Sequence, residues 1–471
     1  MPSFDTVRGL SYPEWALLAL LGLAPLWYGS VLPAAWVANG LAAAVTAMAV
    51  IATGAWRGTG PAIAPSRYAL MAALYAIAAA WVLLQALPIA PDWLQHPLWR
   101  EASGALGYPL RGTISANPEL TLQALLRLLT FATVFWISME LCRRAEFAIV
   151  LLYALAAFAV LNSIYALADM AFGWQRVLFA PKDPFVIAVH GNYASGTFIN
   201  RNHFAAYVGT GLIAASALFL RAVLRGETSG KGNRKRKTAR IISRLITDGA
   251  PILVLALPIA IALIVTTSRA GIATTFAGLL VLCMLIAARS SNRVVVLVMS
   301  AMLVVASFVV LDLHGEAALR RAADASGALH GRLAAYKATV VAAFDHPVLG
   351  HGYGAFIDFF PSYRSAEMGL GGIWNAAHNT YLEVFAGLGL PVALILLSAV
   401  LIATMRCFLG ALGRKRSAWG PLVAAAATVQ LGLHSLVEFP LQTEAVALNL
   451  AALLGAGTAQ SWSSRRLAEF D

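Results

Sequence analysis

The sequence predicts an all-α, polytopic integral membrane protein, and three observations carry that prediction. Hydrophobic residues make up 60% of the chain and charged residues only 12%, about half the charged share of a soluble domain. Apolar runs of roughly 18 or more residues recur along the whole length, each long enough to cross a ~30 Å hydrocarbon core as a helix. The short links between these runs are basic, the pattern that membrane topology imposes on cytoplasmic loops. A β-barrel would instead show short alternating segments. The net charge of +12 is accounted for by these flanking residues, so the chain is not expected to bind nucleic acid. Cys142, Cys283 and Cys407 have neither metal-type nor disulfide-type spacing and read as packing residues.

In chain order, Met1 to Glu14 lacks a basic n-region and a small-residue cleavage site, so the first apolar run reads as retained. Trp15–Tyr28 and Val31–Ile51 form a hairpin about Gly29-Ser30, and Tyr68–Ala86 is a third span. Pro88 to Pro118 is a long link whose Trp93, Trp99 and Tyr108 suit a membrane interface. Leu120–Leu141 and Phe147–Phe172 flank the basic Cys142-Arg143-Arg144 link, and Phe204–Leu224 follows a polar, aromatic stretch. The most basic run, RGETSGKGNRKRKTARIISR, then leads to a second hairpin, Ile252–Val265 and Ile272–Ala288, turning at TTSRAG. Val294–Leu313, Thr380–Met405, Leu422–Phe439 and Ala445–Ala459 complete a set of about 12 spans with both termini cytoplasmic. The long links, the TTSRAG turn and Asp312–His378 then share the outer side.

That topology gathers three residues with chemical potential at one face. Arg269 lies in a turn between nearly uncharged arms, where an arginine needs an anion: a lipid headgroup by snorkelling, or a phosphate held bidentately. Arg332 opens an amphipathic helix on which Leu333, Tyr336, Val340 and Phe344 share one face. His378 precedes an apolar helix, with Asn379 beside it and Glu383 about one turn deeper; His-Asn is also a reasonable helix start, since Asn is a favoured N-cap. His203 follows Asn200-Arg201-Asn202, His434 and Glu438 lie near the end of a late span, and His346 and His351 flank a Pro/Gly turn. None of these histidines has HExxH spacing and the outer loops lack a D-x-D pair, so no metal site is expected.

These residues fall in stretches that together resemble the O-antigen ligases and the related O-antigen and exopolysaccharide polymerases of bacterial envelopes. The stretches are GTFINRNHFA (Gly196–Ala205), TSRAG (Thr267–Gly271), the Arg332-led helix running into DHPVLGHGYGAF (Asp345–Phe356), HNTYLEVFAGLG (His378–Gly389) and LHSLVEFPLQ (Leu433–Gln442). The resemblance divides the chain into an N-terminal transmembrane region, 1–195, and a ligase/polymerase-like core, 196–471, with a periplasmic loop at 313–378. It implies an inverting, metal-independent glycosyltransferase without a cofactor, in the bacterial inner membrane with its active site facing the periplasm. The donor would be a glycan on undecaprenyl diphosphate and the acceptor lipid A–core or a second glycan. Its two functional arginines fall on Arg269 and Arg332 and its histidine on His378; Glu383 is a second catalytic candidate, and Asn200, Asn202, His203, Asn379 and His434 are possible supporting residues. The ligase pattern is met through Gly389, but Val392 stands where a small residue or tyrosine is expected, and Pro391 precedes it.

The chemistry can be stated from the residue types alone. A diphosphate leaves with its own charge, which bidentate arginines stabilise, and an acceptor hydroxyl needs its proton accepted or its approach oriented, which His378 could do. A polymerase of the same superfamily is the nearest alternative. A flippase for the same lipid-linked glycan would place charges deep in several spans, whereas here few lie well inside, chiefly Arg127, with Asp169 and Glu140 nearer span ends. An assembly scaffold would leave the outer arginines and His378 individually replaceable.

Overall fold

Long apolar segments punctuated by Pro, Gly and Arg fold as helices because only a helix satisfies every backbone group inside its own segment. In a computed structural model the described residues are 4–174, 176–178, 180–181, 193–224, 243–289, 331–365, 368, 373–414 and 418–462. Among them the principal helices are α1 (Tyr12–Leu23), α2 (Pro33–Trp56), α3 (Ala69–Ala86), α4 (Pro97–Leu106), α5 (Pro118–Leu141), α6 (Ala145–Phe172) and α7 (Arg201–Leu224). There follow α8 (Ala250–Val265), α9 (Arg269–Arg289), α10 (331–345), α11 (Thr380–Leu388), α12 (Leu390–Gly413), α13 (Trp419–His434) and α14 (Glu444–Gln460). Two-residue strands at Arg176–Val177 and Ala180–Pro181 pair antiparallel. Eight of the described helices are long and apolar enough to cross a membrane, against the expected twelve or so. The remainder of the expected set divides between the short Tyr12–Leu26 segment, the compact α13 and α14, and Val294–Leu313, which lies outside the described residues.

Polar-poor helices at the rim turn large apolar side chains outward: Leu41, Val45 and Met48 on α2, and Leu253, Val254 and Leu257 on α8, are exposed. A lipid environment accounts for such faces. The centre is made by α7, α13 and α14. Helix α14 packs on α5, α13 and α12, and it is buried along its whole length. The sequence reading of α8 and α9 as a tight pair is only half right. They are joined by the TTSRAG turn, but α8 packs mainly on α6 and α7, while α9 packs on α13 and α7. Close approach is possible because α7 presents Gly209 to Thr275 of α9 and Gln430 of α13; a Cβ there would meet the Thr275 hydroxyl at 2.1 Å.

One expected span, Thr380–Met405, is broken. At Gly389 the backbone has φ +75°, and a Cβ would lie 2.2 Å from the Val348 carbonyl, so α11 stops and α12 starts afresh at Leu390-Pro391. The released carbonyls of the last turn are met by the turn after α10: His351 N–H donates to Ala386 O at 2.9 Å and Gly352 N–H to Gly387 O at 3.1 Å. The Gln85 amide also donates to Gly387 O at 2.8 Å, and Trp81 Nε1 to Leu388 O at 3.1 Å. Irregular backbone inside an apolar bundle is tolerated where protein donors satisfy it in this way.

The two ends of the bundle differ chemically. At one end Arg289, Arg143 and Arg406 donate to the last carbonyls of α12 and α14 and their flanking residues, which complements the negative ends of those helices. The opposite end collects the starts of α5, α7, α9 and α14 and the ends of α3 and α13, together with α10, α11 and the loop between α13 and α14. Helix α10 turns Leu333, Val340 and Phe344 outward and packs an alanine face, Ala335 and Ala342 among it, on the protein. That orientation matches a segment lying against the membrane.

Candidate active site

The site at this end is built around a carboxylate that sequence reasoning had left beside His434 without a role. Glu438 lies in the loop between α13 and α14, and its side chain is 2% exposed. Its Oε1 accepts from the Arg332 guanidinium at 2.7 Å and from Asn202 Nδ2 at 2.7 Å, while Oε2 faces His378 Nδ1 at 3.2 Å. Three segments separated in sequence, the start of α7, the start of α10 and the start of α11, are therefore fastened to one acid. Burial alone would raise the Glu438 carboxyl; the His378 hydrogen bond and charge outweigh it, with His203 and Arg332 adding to them, and hold the group down to about 2. It is an anion throughout the physiological range.

His378 and Asn379 divide the two roles that the sequence left open between them. Asn379 is the N-cap of α11: its Oδ1 accepts from Leu382 N–H at 3.1 Å and its amide donates to Leu436 O at 2.9 Å. His378 takes no part in that cap. Its backbone is left-handed, φ +52°, a conformation that costs a non-glycine residue about 1 kcal/mol or more. Neighbours hold it there: Tyr336 Oη donates to the His378 carbonyl at 2.9 Å, and Thr380 N–H to Ser435 O at 2.9 Å. Phe439 meets the imidazole edge-on at 4.9 Å between ring centroids, and Trp374 does so at 5.7 Å. With Nδ1 on Glu438, Nε2 is the nitrogen left to act.

The GTFINRNHFA stretch supplies the next layer. Asn200 Oδ1 accepts from Asn202 N–H at 2.8 Å at the start of α7, which sets Asn202 to reach Glu438. The buried His203 pairs Nδ1 with Thr443 Oγ1 at 2.6 Å and stacks edge-on against Phe439 at 4.6 Å, so it braces the loop that carries Glu438. Arg201, which sequence reasoning passed over, donates to Thr267 Oγ1 at 2.6 Å and lies over the Tyr193 ring at 4.4 Å. That contact ties α7 to the TTSRAG turn, where Thr267 is also left-handed at φ +54°. Two residues later Arg269 opens α9, with its side chain exposed at this end.

Glu383 faces elsewhere. Its Oε2 accepts from Ala377 N–H at 3.0 Å, and Gln442 is a side-chain partner, so it ties down the loop that carries His378 from behind. His434, at the end of α13, is fully buried, and neither of its ring nitrogens has a hydrogen-bond partner among the described residues. Arg127 of α5 lies deeper, donating to Gln442 O and stacked over Trp36 at 4.7 Å. The arrangement thus offers a histidine oriented by a buried acid, a guanidinium with donors to spare beyond that acid, and a second arginine at a helix start, where backbone N–H groups also favour anions.

Residues 253–397 match the family model described as O-Antigen ligase. The matched stretch contains Arg269, Arg332, His378 and Glu383, and it supports the O-antigen ligase/polymerase superfamily for this chain; Asn202, His434 and Glu438 lie outside it. A search of curated proteins gave no match.

Proposed function

We propose that this multi-pass chain, whose O-antigen ligase stretch supports ligase- or polymerase-type function in general, transfers a glycan from undecaprenyl diphosphate to an acceptor hydroxyl on lipid A–core. The observation that carries this reading is the Glu438 centre, which fastens Arg332, Asn202 and His378 together at the end of the bundle that also bears Arg269. Arg269 and Arg332 hold the diphosphate and stabilise the charge that builds on it as the anomeric C–O bond breaks. Arg332 spends one nitrogen on Glu438 and keeps its others for phosphate oxygens. Glu438 accepts the His378 Nδ1 proton, which leaves Nε2 free to take the proton of the incoming hydroxyl. A single displacement inverts the anomeric centre and forms no covalent enzyme intermediate.

His434 is suited to hold a sugar hydroxyl or phosphate oxygen, and Glu383 acts on the position of His378 through the Ala377 backbone. The positive-inside rule assigns the end bearing Arg143, Arg289 and Arg406 to the cytoplasm, which supports a site facing the periplasm. A second reading, a polymerase joining lipid-linked repeats, is favoured by Pro391 and Val392, which depart from the ligase pattern. It shares the donor half of the chemistry. The banding of surface glycan in a deletion strain separates the two: loss of a ligase leaves long chains on the carrier, and loss of a polymerase leaves single repeats. Unchanged surface glycan in that strain would remove both.

A further inference from the structure

About one short helix away from Glu438, the fold brings His96 against His346 and His351, which flank a single turn far away in the sequence. His96 is the N-cap of α4 in the long Pro88–Pro118 link, His346 follows α10, and His351 lies in the turn docked on the broken span. One ring nitrogen of each falls within 4.8 Å of the others. His96 and His351 are buried and His346 is half-buried. We propose that His96, His346 and His351 form a binding site for a transition metal of the zinc class, which staples the outer link to the turn that supports α11. The inference does not rest on the proposed transfer reaction.

The backbone around the three residues is already fixed. His96 N–H donates to Thr113 O at 2.9 Å, Ala116 N–H to His351 O at 2.9 Å, and His351 N–H to Ala386 O at 2.9 Å. His351 Nε2 pairs with Ala342 O at 2.8 Å, the hydrogen bond that assigns the proton to Nε2 and turns the Nδ1 lone pair toward the cluster, as metal-bound imidazoles are usually held. Phe359 stacks on the His351 ring at 4.3 Å and Tyr363 meets it edge-on at 5.5 Å, walling the cluster with aromatic surface. Neutral imidazole is the ligating form, and His96 and His351 are both buried, which favours it. The Asp345 carboxylate acts electrostatically on both His346 and His351 and is held beside the cluster by a hydrogen bond with Tyr363.

The competing arrangement is a chain of neutral hydrogen bonds. Leu98 N–H reaches His96 Nδ1 at 3.3 Å, and His96 Nε2 lies 2.8 Å from His351 Nδ1. Tetrahedral zinc with bonds of about 2.0–2.1 Å needs ligand nitrogens about 3.3 Å apart, so the close pair must open by about half an ångström and His346 must swing inward. The long Leu98 contact is the bond His96 gives up when its proton moves to Nδ1.

The test uses full-length protein purified in detergent with a tag free of histidine, stripped with a chelator and titrated with zinc, then with cobalt. The site predicts one equivalent of zinc, a rise in melting temperature on binding, and with cobalt the visible absorption of a four-coordinate centre. His346→Gln, at the least buried ligand, is expected to fold with a metal-free melting temperature near wild type and to bind at least about 100-fold more weakly. Should His346→Gln fail to fold, His96→Gln and the cobalt spectrum of wild type carry the test. Absence of saturable zinc binding by the wild type, or binding that His346→Gln and His96→Gln leave unchanged, overturns the proposal and leaves the three histidines as a hydrogen-bonded strut.

Discussion

Replacing Glu438 by Gln tests whether the buried acid orients His378 or merely cements the loop. Glutamine keeps the shape, and its Oε1 can still accept from Arg332 and Asn202. Its amide, however, would donate to His378 Nδ1, forcing the imidazole proton onto Nε2, the wrong tautomer for a base. The drop of the carboxyl from 4.5 to about 2, at about 1.4 kcal/mol per unit of pKa, corresponds to interactions of the charged form on the order of 3 kcal/mol. The stability cost should be smaller than that, because Arg332 is 37% exposed at its side chain and rehydrates, and because the neutral amide keeps two hydrogen bonds. The expected result is a melting temperature lower by only a few degrees and a rate of glycan transfer reduced by roughly 10²-fold or more. Donor binding should hold or tighten, since Arg332 no longer shares its charge with Glu438. The assay is transfer from carrier-linked glycan by protein reconstituted in vesicles, with melting and donor binding measured on the same preparation. A folded Glu438→Gln protein turning over within threefold of wild type would refute the orientation argument.

Four further outcomes are expected. Arg269→Lys should lose nearly as much transfer as Arg269→Ala, because lysine keeps the charge but not the planar fork; near-full product from the lysine variant would point to headgroup snorkelling. Glu383→Gln, which can still accept from Ala377 N–H, should keep transfer within about tenfold, whereas the 10²–10⁴-fold loss typical of a missing acid–base group would make Glu383 part of the chemistry. A cysteine introduced by Ser365→Cys should be labelled from outside the cytoplasmic membrane and one introduced by Gly232→Cys should not; the reverse pattern would invert the topology. Stability should fall in acid in two stages. His96 and His351, held at about 3 and about 4 against an ordinary 6.5, stay neutral in the folded state while the unfolded chain takes up protons, so stability declines as pH drops below 6.5. Glu438 adds its loss only below 4.5, through about 2. A melting temperature flat from pH 7 to pH 4.5 would contradict the first stage.

The spans were legible because hydropathy reports length directly. Gly389 shows where that signal stops. The run LGLPVALILL is apolar across the break, and the interruption is stable because the His351 and Gly352 N–H groups, Gln85 and Trp81 donate to the exposed carbonyls. The hairpin of α8 and α9 was read from its turn, but which helix each arm packs against is decided by small residues such as Gly209 on a third segment. At the site, Arg332, His378 and Asn202 could be singled out by residue type, yet their common partner could not. Glu438 stands 60 residues from His378, in a stretch whose one visible hint was an acid amid LHSLVEFPLQ. The joining of His96 to His346 and His351 was invisible for the same reason, since 255 residues separate His96 from its partner His351.

The central claim, that this end of the bundle performs glycan transfer through His378 with the donor held by arginines, is tested most directly by His378→Ala. Reconstituted with carrier-linked glycan and acceptor, that variant should fold, bind the lipid-diphosphate donor as wild type does, and lose about 10²–10⁴-fold in transfer. A well-folded His378→Ala protein that binds donor and turns over within a few-fold of wild type would contradict it.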